Sequence, residues 1–161
     1  MTAPFSILIA LHLLFVVVWF GYAPAEWYIR KKIQSAHGSQ SENILLGLYL
    51  KLGNLVGMIG SLGVLVTGVV LSVIGPWGFF QSHWISAKQI VMIFILLDLF
   101  TFLIPTASKI SKEFRANANI VTDGIRKNLT RFAVAVTIQN VLILINFILG
   151  AFGASGLIPT V

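Results

Sequence analysis

Charge is missing from four long runs of this sequence. No Asp, Glu, Lys or Arg occurs in residues 2–25, 52–87 or 132–161, and residues 89–108 carry only Asp98. A helix needs about 20 mostly apolar residues to cross the hydrocarbon of a bilayer. Inside it, every backbone N–H and C=O must find its partner within the segment. The runs therefore predict an all-α fold, a polytopic four-transmembrane-helix bundle, with spans at about residues 4–28, 51–75, 84–104 and 128–152. A hydrophobic content of 57% against 10% charged, with a mean hydropathy of +0.93, lies far from the composition of a soluble domain. A chain of 161 residues has room for these spans and short connections, and is read as one domain, 1–161.

The basic residues orient the bundle. Arg30, Lys31, Lys32 and Lys51 flank the first gap; Lys109, Lys112, Arg115, Arg126, Lys127 and Arg131 flank or fill the third; the second, residues 75–83, has none. Basic loops stay on the cytoplasmic side, so gaps one and three are expected in the cytoplasm and both termini outside the cell (inner) membrane. The net charge of +6 is explained by this topology and by anionic headgroups rather than by nucleic acid. With no cysteine, disulfides, thiolate metal sites, iron–sulfur clusters and covalent haem attachment are excluded. Met1-Thr2-Ala3-Pro4 lacks the basic start of a cleaved signal, and the first apolar run is expected to stay as a span.

Local signals place the ends. Trp27 and Tyr28 suit an interfacial aromatic belt, as do Phe79, Phe80 and Trp84 around the turn Gly75-Pro76-Trp77-Gly78. Ser39 and Glu42 have the spacing of a capping box, so the second helix is expected to start before the membrane. Gly53 and Gly57 form a small-xxx-small pair suited to close helix packing. Lys109 and Glu113 are spaced as an i,i+4 pair, Thr122-Asp123-Gly124 offers a cap for the last helix, and Ser155, Gly156 and Pro159 follow its end. Asn128-Leu129-Thr130 has the form of a glycosylation acceptor but falls on the expected cytoplasmic side.

Polar groups inside spans are costly and mark working sites. At 1.5 Å rise per residue, His12, Lys88, Asn146 and Thr67 lie about 10, 6, 9 and 10 Å below the outer edge, in one layer. Asp98 lies about 20 Å deep, level with Trp19, Ser61, Gln139 and Asn140. His12, Trp19 and Glu26 share one face of the first helix. Each group also has a structural reading: His12 and Asp98 as interhelical hydrogen-bonding groups, Asp98 toward Asn140 or Gln139, and Lys88 as a side chain snorkelling to the surface.

Ala10-Leu11-His12-Leu13-Leu14 with Trp19-Phe20-Gly21 and Pro24, then Thr67-Gly68, then Trp84-Ile85-Ser86-Ala87-Lys88, resembles the HemJ-type protoporphyrinogen oxidases and the CopD-like small membrane proteins. The likeness spans Ala10 to about Asp98 and implies a four-helix membrane fold with haem b as cofactor. It implies that His12 and Lys88 are the catalytic pair. His12 is then the metal ligand, Lys88 sits at a propionate or substrate, and Trp19 and Asn146 also bind cofactor. Ile7-Leu8-Ile9 stands where that group has Trp-x-Lys, and Ala25-Glu26-Trp27 where a basic residue often follows the Pro.

The leading expectation is a membrane oxidoreductase of this type. The alternatives are transport of an ion or small solute along His12, Lys88, Asp98 and Gln139, and a non-catalytic subunit of a membrane complex. The bilayer is the first partner in every case; a homo-oligomer or a membrane-complex partner is the second. Copper is disfavoured because Met58 and Met92 are the only soft side chains in the spans.

Overall fold

The structure, a computed structural model, describes residues 3–76 and 78–154. Trp77, Met1 and Thr2, and Ser155, Gly156 and Pro159, lie outside the described residues. Four helices make up the fold: α1 (Ala3–Ser35), α2 (Gln40–Ile74), α3 (His83–Ala116) and α4 (Asp123–Ala154). All four are long and apolar enough to cross a membrane, and the chain is a multi-pass membrane protein. Each runs through its uncharged stretch and continues past it at the basic end of the bundle.

Two π-helical turns interrupt the helices without breaking them. One, Leu99–Leu103, immediately precedes Pro105 in α3. Proline brings no N–H to the preceding turn, and a widened turn is one way a membrane helix re-satisfies its carbonyls. The other, Gly53–Gly57 in α2, receives the Tyr22 ring of α1.

The helices pack as two hairpins. α1 lies along α2, α3 lies along α4, and the hairpins meet chiefly through α1 and α4. Lipid supplies no hydrophobic drive for helices to associate, so close approach needs small residues. Gly53 and Gly57 lie on the face of α2 that packs on α1, where a Cβ would sit 3.5 and 3.8 Å from Tyr22, but the closest backbone approach is elsewhere. It centres on Gly60, where a Cβ would come within 3.0 Å of the Trp19 Cα, and on Gly63, which faces the Phe15 ring. Trp84, expected at the interface, is buried instead against Gly153 of α4.

The most tightly buried core lies outside the uncharged stretches. Ile33, Leu46, Tyr49, Ile110, Phe114, Val121, Ile125 and Leu129 form one cluster at the basic end. A smaller cluster of Trp19, Ile95 and Ile143 sits in the apolar part. This division follows solvent: burial stabilises where water is the alternative, whereas the large exposed side chains of the spans face lipid.

Buried acids fasten the basic end. Glu42 takes Arg126 of α4 in a fork, Nε to Oε1 at 2.9 Å and Nη2 to Oε2 at 2.8 Å. The expected capping box does not form: Glu42 accepts from the Gly38 N–H at 2.7 Å, one residue before the cap, and the Ser39 hydroxyl turns to the Ala36 carbonyl. Glu26, 2% exposed, accepts from the Tyr49 hydroxyl at 2.7 Å and from Arg30 Nε at 2.9 Å. Glu113 does not pair with Lys109; it takes the Thr122 hydroxyl at 2.8 Å and the Asn128 amide at 3.4 Å. Thr122 in turn caps α4 by accepting from the Ile125 N–H at 3.2 Å. Asn128 is thereby a buried structural residue.

Two outcomes test this packing. Gly60→Ala should destabilise the protein by about 1–3 kcal/mol, the cost of overpacking, whereas Gly21→Ala, with open space around it, should not; thermal melts in detergent distinguish them. The Arg126 hydrogen bond, assisted by the Gly38 N–H and opposed by burial, holds the Glu42 carboxyl below its ordinary value of 4.5. A lowered carboxylate contributes stability that is complete above that value and lost as pH falls through the lower folded one. Glu42→Gln should therefore melt below wild type at pH 7, and the gap should close in acid.

Candidate functional site

Thr67 fixes the proton on His12. The Thr67 hydroxyl donates to the Gly63 carbonyl of its own helix at 2.5 Å, so its oxygen serves His12 as an acceptor. His12 Nδ1 lies 2.8 Å from it and must carry the hydrogen. In the neutral ring this leaves Nε2 bare, and it makes no hydrogen bond among the described residues. Gly68 keeps the wall beside the imidazole open: a Cβ there would lie 3.3 Å from Cε1.

Lys88 does not snorkel to the surface. Its ammonium donates to the Asn146 carbonyl of α4 at 2.9 Å, and the Asn146 amide donates back to the Lys88 carbonyl at 3.2 Å. Gly150, one turn along α4, makes room for the ammonium; a Cβ there would stand 2.7 Å from Nζ. No carboxylate among the described residues pairs with Lys88. The imidazole and the ammonium come from different hairpins, each tied to its own partner helix. The Phe20 and Phe147 rings, stacked at 5.6 Å, join α1 to α4 near this level.

The deeper polar residues divide. Gln139, 4% exposed, meets only acceptors on α3, so the amide orientation that satisfies it turns the nitrogen there, within donating distance of the Ile95 carbonyl at 3.3 Å and Asp98 Oδ2 at 3.1 Å. Asp98 also borders a groove of about 370 Å³ between α3 and α4 with Phe94, Thr101 and Phe102. Asn140 faces the other way, into a groove between α1 and α4. Trp19 is in the Ile95–Ile143 core. The structure thus brings His12 to Thr67, Lys88 to Asn146 and Asp98 to Gln139, and leaves Trp19 and Asn140 with other neighbours. At the basic end, the Glu26–Tyr49 bond was not foreseen; only the Glu26 to Arg30 spacing hinted at it.

No group of three or more His, Cys, Asp or Glu among the described residues converges on a metal position. A haem needs no such cluster. An imidazole whose Nδ1–H is held by a fixed acceptor presents Nε2 to iron in the tautomer that metal sites use, and an unpaired ammonium suits a propionate. The donor set fits that group. The chain matches no known family, no curated protein and no solved structure.

Thr67→Val should release the tautomer. In protein labelled with nitrogen-15 histidine, wild-type His12 should show a protonated Nδ1 and a bare Nε2, and the variant a mixture of the two forms.

Proposed function

We propose that this protein is an integral membrane oxidoreductase that holds haem b through His12, as the resemblance to the HemJ-type oxidases implies. The observations that support the reading are a tautomer-fixed imidazole with a bare Nε2 on one hairpin and an ammonium without a carboxylate on the other. An unpaired charge in a bilayer is costly, and an anionic group arriving beside Lys88 would remove that cost.

His12 would ligate iron through Nε2, with Thr67 holding the ring. Lys88 would bind a propionate, or the carboxylate of a substrate, while its bond to Asn146 sets its height. Haem, when bound, supplies one-electron chemistry at its iron. The surrounding apolar helices keep water from the site, and the electrostatic field of Lys88 favours negative charge there. The basic end faces the cytoplasm in this reading, with both termini outside the inner membrane.

A transport path through both polar layers has less support. Buried Trp19, Ile95 and Ile143 pack the apolar part of the bundle, and Asp98 meets Gln139 rather than the His12 layer.

Visible spectroscopy tests the proposal. Protein expressed with ample haem should show a Soret band that shifts on reduction. His12→Ala should lose the band, and Lys88→Met should keep it but turn over substrate at least tenfold more slowly, about the loss of one charge-assisted hydrogen bond. Absence of a Soret band in the wild type would defeat the reading.

A further inference from the structure

A second polar site lies at the other end of the bundle, where α1 and α4 part. A groove of about 330 Å³ runs between them, with Phe20, Val141 and Leu144 along its apolar length and Trp27 and Arg30 toward the basic end. Arg30 has five N–H donors. Nε is committed to Glu26, and the two terminal nitrogens make no hydrogen bond among the described residues, although the side chain is only 12% exposed. Deeper along the groove, the Asn140 amide borders it and also has no hydrogen bond among the described residues.

We propose that this groove binds one anionic phospholipid from the leaflet at the basic end. The phosphate sits on the terminal nitrogens of Arg30, where a planar fork matches its oxygens. An ester carbonyl just below it accepts from Asn140, and an acyl chain lies along Phe20, Val141 and Leu144. Charge complementarity favours this occupant over a zwitterionic lipid. Glu26, Glu42, Glu113 and Asp123, the acids of this end, are all engaged with protein partners, and Lys31, Lys32 and Arg131 nearby are exposed. Basic pockets between membrane helices are known to select anionic headgroups. Trp27, 54% exposed, stands at the height where indoles meet headgroups.

Native mass spectrometry of the purified full chain, incubated in mild detergent with equal phosphatidylglycerol and phosphatidylcholine, reads the preference. Wild type should retain one phosphatidylglycerol in preference to phosphatidylcholine. Arg30→Gln should cut that preference about fivefold, and Arg30→Lys should restore part of it. Asn140→Leu should weaken retention of the lipid. Ala23→Phe fills the groove wall without touching the Arg30–Glu26 pair, so it should abolish retention even if Arg30→Gln fails to fold. Lys127→Gln, exposed elsewhere, should change nothing. Equal retention of both lipids would overturn the proposal. So would a preference that survives Ala23→Phe, or a lipid-free dimer that buries the groove.

Discussion

At one end of this bundle the helices run past their uncharged stretches into charged segments, and the packing follows that boundary. In the spans, helices approach only where glycine permits, as at Gly60 and Gly63, and are held by hydrogen bonds such as His12 to Thr67 and Lys88 to Asn146. At the basic end the helix extensions bury an aliphatic and aromatic core, and the Glu42–Arg126 fork crosses from one hairpin to the other. Without that end, the hairpins would be joined mainly along α1 and α4.

This arrangement leaves the opposite end of the bundle able to hold a site between the hairpins. His12 is rigid because Thr67 and Gly63 lie on its own partner helix, and Lys88 is rigid for the corresponding reason on the other hairpin. The two groups are not bonded to one another. A ligand that bridges an imidazole and an ammonium would therefore also bridge the hairpins, so occupancy and helix packing are coupled. Gly68 and Gly150 matter here for the space they leave rather than for backbone freedom.

Depth was legible in the sequence because helical rise is constant. It brought His12 and Thr67 together, and Lys88 and Asn146, before any contact was known. Facing was less legible. Gln139 and Asn140 are adjacent, and counting put both beside Asp98, yet only Gln139 reaches it while Asn140 opens to the α1–α4 groove. The Gly53–Gly57 pair does pack on α1 through Tyr22, but the tighter contacts at Gly60 and Gly63 could not be ranked above it by counting.

The sequence by itself determined four apolar helices and a basic end, because the bilayer imposes length, backbone self-satisfaction and charge exclusion on each segment separately. Only the tertiary structure decided which polar groups pair: Glu42 with Arg126, Glu26 with Tyr49, and Glu113 with Thr122 rather than Lys109. Those partners come from other segments of the chain, and the rotation of each helix about its axis is set by packing against its neighbours, a property that no single segment carries.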